Sequence, residues 1–224
     1  MRMFVPATEA VVFVIDDDAS VRKAMRRLLQ STGHQVEVYS SAEEFLQRPH
    51  YDGPGCLILD VQMPGLTGIE LQASLAKAGY FFPIIFVSGH SDIPISVKAM
   101  KAGAVDFLTK PFKDAALLEA VRVSLRKDGE ARALREEGRS IQQRLQTLTE
   151  REREVLRWVI GGLLNKQIAY ELGIGEKTVK VHRARVMQKM QSESVAELVR
   201  LVTKVGIVPA RVPRAASVAP DSPA

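Results

Sequence analysis

Short apolar runs alternate with amphipathic stretches between residues 11 and 125, and this alternation limits the choice of fold more than any other feature. Each run is four or five residues long and rich in β-branched or aromatic residues, which is typical of strands. The predicted strands are Val11–Ile15, Gln35–Tyr39, Cys56–Leu59, Ile84–Val87 and Val105–Leu108. Strands that alternate with helices predict an α/β fold: a five-stranded, doubly wound parallel sheet with helices on both faces. The loops after the carboxyl ends of such strands carry the chemistry.

Acidic residues follow two of these predicted strands. Three consecutive aspartates, residues 16 to 18, come directly after the first strand, and Asp60 follows the third. If these strands are neighbours, Asp16, Asp17 and Asp60 meet at one edge of the sheet, whereas Asp18 points elsewhere as a surface or capping group. Adjacent like charges repel one another unless something neutralises them. Because carboxylates with room for water suit Mg²⁺, the sequence predicts a magnesium site.

Two more polar residues lie at predicted strand ends. Ser88 follows the fourth strand and Lys110 follows the fifth. Taken singly, the serine is typical of a turn and the lysine of a solvated surface. A hydroxyl, an ammonium and a divalent cation around one carboxylate nevertheless form an arrangement that can hold a phosphoryl group. Asp60 is then the nucleophile that forms an acyl phosphate, and Ser88 and Lys110 bind the phosphoryl oxygens.

Four motifs carry a resemblance to a known family. They are "DDD", "LDVQMPGLTG", "VSGH" and "MKAGAVDFLTKPF". As a set they resemble the receiver domain of bacterial two-component response regulators, from Val11 to about Leu125. The resemblance implies a flavodoxin-like sheet with strand order 2-1-3-4-5 and a sensor histidine kinase that donates its phosphoryl group to Asp60.

The same resemblance assigns roles to further residues. It implies Mg²⁺ ligands at Asp16, Asp17, Asp60 and the backbone carbonyl of Gln62. It implies a cis peptide before Pro111, since X–Pro bonds adopt the cis form at little cost. It also implies a switch in which Ser88 is drawn to the phosphoryl group while Phe107 swings inward. Without the resemblance, Phe107 is interpreted as an ordinary core aromatic residue.

A rival interpretation is an enzyme, because haloacid-dehalogenase-type phosphatases also form an aspartyl phosphate on Mg²⁺. Their D-x-D motif places a general acid two residues after the nucleophile, where this chain has Gln62, which cannot do that work. Asp16 and Asp18 do spell D-x-D, so the motif alone leaves the alternative open. The contexts of Ser88 and Lys110 match the receiver motifs as a set, and we therefore expect a regulator rather than an enzyme.

The positive charge is concentrated in the second part of the chain. Residues 1–127 contain 14 basic and 14 acidic side chains, whereas residues 128–224 contain 17 and 12. A neutral half joined to a basic half suggests a regulatory domain fused to a nucleic-acid binder. Charge alone leaves a solvated basic face as the alternative.

The pattern between Thr149 and Met190 predicts a helix-turn-helix. Two short helices are joined by the turn "LGIG", and the second, Glu176–Met190, is basic. Such a helix lies in the major groove with its first residues toward the base edges. The base-edge candidates are Lys180 and Val181; the phosphate candidates are Lys166, Lys177, Thr178 and Lys189; Arg183 and Arg185 share the outward side. His182 is predicted to contact a phosphate or to pack.

This segment also resembles a known family. "LTERE", "NKQIA", "TVKVH" and "QKM", between Leu148 and Leu198, are similar to the LuxR/NarL-type DNA-binding domain. Together with the receiver motifs, they resemble the FixJ–StyR subgroup of response regulators. Gly175 stands where that family often has a serine cap, which costs only a few tenths of a kcal/mol. The resemblance implies promoter double-stranded DNA as partner, a homodimer formed through the last helix, Ser194–Lys204, and RNA polymerase as a further candidate partner.

We expect five segments along the chain. They are an extension (1–10), a receiver (11–126), a helical linker (127–147), an all-α helix-turn-helix domain of four helices (148–207) and a disordered tail (208–224). Residues 127–147 are charged and rich in Gln, and Leu134, Ile141 and Leu145 share one side of a helix, although Gly129 and Gly138 weaken it.

The sequence also predicts where the protein works. It contains neither a signal-peptide pattern nor an apolar run of about 20 residues, so we expect a cytoplasmic protein without a membrane partner. Two alternatives stay open: a receiver that acts only by docking proteins, with the basic half inert, and a choice between release of a covered DNA-binding domain and dimerisation as the effect of phosphorylation.

Overall fold

The computed structural model of the chain describes residues 10–89 and 93–210. Its contacts divide the chain into two compact units, residues 1–133 and 134–224, which are described separately. The predictions for residues 1–9 and for the tail from residue 211 onward lie outside the described residues.

The first unit contains the predicted sheet. Its strands are β1 (Val11–Ile15), β2 (Gln35–Tyr39), β3 (Gly55–Asp60), β4 (Ile84–Ser88) and β5 (Asp106–Thr109). They are all parallel and lie in the order β2-β1-β3-β4-β5, which confirms the predicted fold and strand order. The helices between them are α1 (Ala19–Ser31), α2 (Ala42–Gln47), α3 (Gly68–Lys77) and α4 (Ile93–Lys101). β3 and β4 extend one residue beyond the prediction, so Asp60 and Ser88 are the last residues of their strands.

The central strands are buried on both faces, which is why they consist of continuous apolar runs. Phe13 and Leu57 pack into one hydrophobic cluster, and Val12 and Ile58 into a second cluster on the opposite face of the sheet. Cys56, which lies in the apolar run of β3, is buried in the second cluster. The carboxyl ends of the strands are therefore fixed by packing from both sides.

Helix α5 (Asp114–Gln146) is 33 residues long and joins what the sequence suggested were two elements. The prediction ended a receiver helix near Lys127 and began a separate helical linker there. The two glycines do not break the helix, because each costs only about 1 kcal/mol relative to alanine. The helix contributes residues to both compact units.

A buried carboxylate on α5 attaches the helix to the start of β3. Asp128 Oδ2 accepts hydrogen bonds from the Gly55 backbone N–H at 2.9 Å and from Arg132 Nε at 2.7 Å. Arg132 in turn donates to the Asp52 carbonyl at 2.7 Å. A Cβ on Gly55 would lie 2.5 Å from the Val11 carbonyl oxygen, so this close approach requires glycine. The first residues of the predicted linker thus belong to the first unit.

The second unit has one core, to which five helices contribute. They are the last turns of α5 with α6 (Glu150–Ile160), α7 (Asn165–Leu172), α8 (Glu176–Met190) and α9 (Val195–Lys204). A capping box of Thr149 and Glu152 begins α6. Ile141 and Leu145 of α5 are buried in this core, so the end of the predicted linker is part of the helical unit. Among the described residues, no helix has the length and apolar character that crossing a bilayer requires.

Candidate phosphoryl-acceptor site and nucleic-acid interface

Two buried aspartates share one lysine at the carboxyl edge of the sheet. Lys110 Nζ lies 2.6 Å from Asp16 Oδ2 and 2.8 Å from Asp60 Oδ1. Asp16 follows β1 and is 1% exposed, and Asp60 ends β3 and is 5% exposed. Lys110 follows β5 and precedes the predicted cis peptide to Pro111, which is present. Three of the residues predicted at strand ends are therefore brought together by ion pairs.

The electrostatics of this group disfavour the anionic form of Asp60. Burial raises the pKa of the Asp60 carboxyl, although the hydrogen bond from Lys110 opposes this effect. Burial alone lowers the pKa of Lys110, but the hydrogen bonds to both carboxylates outweigh it and the pKa is raised. The lysine therefore stays protonated and compensates one of the two buried negative charges.

The backbone around Asp60 is tightly packed. Asp60 Oδ2 accepts a hydrogen bond from the Gln62 N–H at 2.8 Å, which orients the carboxylate. A Cβ on Gly68, the first residue of α3, would lie 2.2 Å from the Asp60 carbonyl oxygen. Only glycine fits this contact between α3 and the end of β3. The sequence analysis did not single out Gly68, although the box of Thr67 and Glu70 marks where the helix begins.

The remaining two aspartates of the cluster differ from Asp16. Asp18 is the N-cap of α1, as predicted: its Oδ1 accepts from the Ser20 N–H at 2.7 Å and from the Ser20 hydroxyl at 2.6 Å. These hydrogen bonds from Ser20 lower the pKa of Asp18. Asp17 is exposed, and within the described residues its side chain makes no hydrogen bond or ion pair. The structure thus gathers Asp16 and Asp60 and leaves Asp17 at the surface beside them.

The donor set of this edge fits Mg²⁺ chemically. Carboxylate and carbonyl oxygens are the ligands that this ion prefers, together with water. The three predicted carboxylates and the Lys110 ammonium leave two negative charges, which match the charge of the ion. In the part of the chain that the structure describes, no group of three Asp, Glu, His or Cys side chains lies close enough together to hold a metal ion.

The two predicted switch residues lie on neighbouring strands. Ser88 ends β4 and is buried, and its carbonyl accepts a hydrogen bond from the Lys110 N–H at 2.7 Å. Phe107 is half-buried on β5, and its ring centroid lies 6.4 Å from that of Phe86. Ser88 therefore belongs to the same edge as Asp60, while Phe107 packs beside the core.

The basic helix α8 separates a buried side from an exposed one. Val179, Val186 and Met190, spaced at helical intervals, are buried in the core. The exposed predicted DNA-contacting residues are Lys166 on α7 and Lys177, Thr178, Lys180, Val181 and Arg185 on α8. Gly173 ends α7 in the left-handed conformation with φ +62°, which glycine adopts without strain. The geometry is that of two helices joined by a tight turn.

Three of the predicted DNA-contacting residues either bond to other residues of the protein or are half-buried. Lys189 Nζ lies 2.6 Å from Oε2 of the buried Glu152 and 2.9 Å from the Thr147 carbonyl. Lys189 thus compensates the buried charge of Glu152, and its role as a phosphate contact stays a prediction. Arg183 Nη1 donates to Asn165 Oδ1 at 3.0 Å and so connects α8 with α7. His182 is half-buried, which suits the packing alternative.

The partner of Lys189 lies 37 residues away in the sequence. Burial alone raises the pKa of Glu152, but the hydrogen bonds from Lys189 and Thr149 and the charge of Lys189 together outweigh it, and the pKa is lowered. Nothing in the sequence near either residue marks this pair.

Comparison with protein families matches both units. Residues 12–122 match the family described as response regulator receiver domain, and residues 146–202 match the bacterial regulatory proteins of the luxR family. Asp128 and Arg132, which attach α5 to β3, lie between the two matched segments.

Similar proteins match over nearly the whole chain. Nodulation protein W of Bradyrhizobium diazoefficiens is 45% identical over 90% of this chain and 88% of its own length. Transcriptional regulatory protein FixJ of Azorhizobium caulinodans is 46% identical over 89% of this chain and 94% of its own. The solved structure of the response regulator StyR is 49% identical with a TM-score of 0.81 and covers 88% of this chain and 100% of that one.

Proposed function

The chain belongs to the two-component response regulators that join a receiver domain to a LuxR-family DNA-binding domain, and from that premise we propose that phosphorylation of Asp60 controls its binding to promoter DNA. Its relatives are transcription regulators and not enzymes. We propose a sensor histidine kinase and promoter DNA as its partners, and the cytoplasm as the compartment in which it meets them. The observation that carries the assignment of Asp60 is its burial at the end of β3 in contact with Lys110.

The proposed chemistry is transfer of a phosphoryl group from a histidine of the kinase. A carboxylate oxygen of Asp60 attacks the phosphorus, the P–N bond breaks with its electron pair left on nitrogen, and that imidazole nitrogen takes a proton from water. Lys110 then donates to a phosphoryl oxygen while it keeps its ion pair with Asp16, and the Ser88 hydroxyl donates to another. The support is the short distance of Lys110 Nζ to both carboxylates, which places one donor beside the acceptor.

We assign Mg²⁺ to the same edge, held by the carboxylates of Asp16, Asp17 and Asp60 and by the backbone carbonyl of Gln62. When bound, the ion neutralises charge between the carboxylates and the incoming phosphoryl oxygens. The residues of the chain orient the acceptor, because Gln62 N–H and Lys110 Nζ hold its two oxygens.

The phosphoryl group would alter the surface near β5 and α4. Ser88 turns toward the phosphoryl group and Phe107 moves inward, and this changes the adjoining helix. Ile93, Val97 and Met100 form an exposed apolar stripe on α4 at helical spacing. A second copy of the chain suits this stripe, because a dimer reads two half-sites about one helical turn apart. The last helix, α9, is the second proposed dimer contact.

The proposed function is tested by DNA binding of the full chain, with and without an acyl-phosphate donor and Mg²⁺. The DNA fragments come from upstream of its own operon. We expect tighter sequence-specific binding after phosphorylation. A DNA affinity that does not change with the phosphoryl donor and Mg²⁺ would contradict control by phosphorylation. Absence of any sequence-specific DNA binding would favour a receiver that acts only by docking proteins.

Replacing Lys180 by Ala is expected to weaken specific DNA binding by about 1–3 kcal/mol, or at least about fivefold, and to relax specificity at one base position. The reason is that Lys180 is exposed on the first turns of α8, where base edges are read. Binding is measured by fluorescence anisotropy with matched and mismatched sites at several salt concentrations.

Lys166→Ala is the matched control, since Lys166 is an exposed lysine on the other helix of the motif. As a phosphate contact it should weaken binding to all sequences alike and lower the salt slope by about one. If both variants lost affinity equally for matched and mismatched sites, the assignment of Lys180 to base edges would be wrong.

A further inference from the structure

The loop that carries the acidic cluster is held by an arginine that the sequence analysis did not consider. Arg22, in the second turn of α1, donates through Nη1 to the Asp16 backbone carbonyl at 2.6 Å. The side chain is half-buried, which limits its freedom. A charged donor at this distance makes a strong hydrogen bond. Arg22 therefore ties the loop between β1 and α1 to the body of α1.

This contact fixes one of the two peptide units that flank Asp17. The Asp16 carbonyl and the Asp17 N–H share one planar unit, so holding that oxygen holds the plane. The next unit contains the Asp18 N–H, which donates to Asp16 Oδ1 at 2.9 Å. With both planes held, the two backbone dihedrals of Asp17 are set, and so is the direction of its Cα–Cβ bond.

We propose that Arg22 is a positioning residue for Mg²⁺ binding, because it holds the backbone of Asp17, the residue that follows Asp16 at this edge, without touching the ion. The inference rests on the magnesium site of the proposed function. Asp17 depends on its backbone for orientation, since its side chain has no hydrogen bond or ion pair within the described residues. Asp16 does not, because both its carboxylate oxygens are held.

Whether replacing Arg22 weakens or strengthens Mg²⁺ binding distinguishes a positioning role from a purely electrostatic one. The guanidinium of Arg22 repels a cation, so removing its charge strengthens Mg²⁺ binding if electrostatics alone matters. If Arg22 positions Asp17, the same substitution weakens Mg²⁺ binding. Arg26 lies one turn further along α1 and is exposed, so it provides the same charge change without the contact to the loop.

The experiment compares Arg22→Gln, Arg22→Lys and Arg26→Gln in the full chain at constant ionic strength. Two readouts are taken: the rise of the unfolding temperature with Mg²⁺ concentration, and the Mg²⁺ concentration that half-saturates labelling by acetyl phosphate. We expect Arg22→Gln to need about tenfold more Mg²⁺ in both, the range found when partners of metal ligands are removed. Arg26→Gln should bind as the wild type or slightly tighter, and Arg22→Lys, which keeps a donor, should recover part of the loss.

Unchanged or tighter Mg²⁺ binding by Arg22→Gln would overturn the positioning role while leaving the magnesium site intact. If the wild type itself gained no stability from Mg²⁺, the proposed metal site would fail and this inference with it. If Arg22→Gln were unfolded without Mg²⁺, Arg22→Met, which keeps the length of the side chain but has no donor, decides the matter. A folded methionine variant that binds Mg²⁺ as tightly as Arg26→Gln contradicts the proposal.

Discussion

Replacing Asp60 by Asn is expected to abolish phosphoryl labelling and, at the same time, to make the unphosphorylated protein more stable. The amide cannot act as the nucleophile, so labelling by a kinase or an acyl phosphate should be lost completely. The stability should rise because burial raises the pKa of Asp60, which means that the folded state disfavours its anion. Lys110 keeps a partner in the variant, since it also pairs with Asp16 at 2.6 Å.

The pH dependence of this gain follows from the sign of the shift. A carboxyl whose pKa is raised on folding stabilises the folded state at pH values below its ordinary pKa of 3.8. This contribution is lost as the pH rises through the pKa that the carboxyl has in the folded state. The gain of Asp60→Asn should therefore be about 1 kcal/mol at pH 7, in the range for neutralising buried charge, and should shrink toward pH 3. Denaturant unfolding at both pH values measures it.

Asp17→Asn is the matched control, because Asp17 is an exposed carboxylate on the neighbouring loop and should change the stability little. Labelling that persisted in Asp60→Asn would reveal another acceptor. A variant less stable than the wild type at pH 7 would show that the ion pair with Lys110 outweighs the burial of Asp60.

A fragment that begins at residue 148, where the second family resemblance begins, is expected to fold poorly, whereas one that begins at residue 134 should be stable. The reason is that Ile141 and Leu145 of α5 are buried in the core of the second unit. Arg144 Nη1 also donates to the Met190 carbonyl at 3.1 Å. Burial of two such side chains contributes about 3–6 kcal/mol, which is comparable with the whole stability of a small domain.

Thermal unfolding followed by circular dichroism compares residues 134–210 with residues 148–210. Within the longer fragment, Ile141→Asp should reproduce most of the loss, because Ile141 is 1% exposed. Leu134→Asp is the control on the same helix, since Leu134 is 68% exposed and should tolerate the change. Equal unfolding temperatures for the two fragments would show that α5 adds nothing to this core.

Local patterns predicted the sheet and the caps well. The strands β1 and β2 have the predicted bounds, because each is bordered by polar or turn residues. Thr149 and Glu152 form a complete capping box at the start of α6. Ser41 caps α2 by accepting from the Glu44 N–H, but the Glu44 carboxylate accepts from Ser40 instead of closing the box. The continuity of α5 was missed because a change of composition near Lys127 was taken for the end of an element.

The part of the candidate site that lies at the ends of strands could be predicted from the sequence. Asp16, Asp60 and Lys110 follow apolar runs, and parallel strands bring such positions to one edge. Arg22 was missed because its partner is a backbone carbonyl oxygen. Every residue has one, so no residue type in the sequence marks this contact. The pair of Lys189 with Glu152 was missed for a related reason, because a basic residue on a helix does not reveal that a buried acid 37 residues away is its partner.

The contact of Asp128 with Gly55 has a consequence for building chimeric regulators. A receiver cut at residue 122 or 126, where the family match or the predicted domain ends, leaves Asp128 and Arg132 on the discarded piece. The N–H of Gly55 then loses its acceptor at the amino end of the strand whose other end is Asp60. A junction placed after Arg132 keeps that strand intact. The segment that must be transferred to keep the receiver domain intact is therefore about ten residues longer than the segment that matches the receiver family.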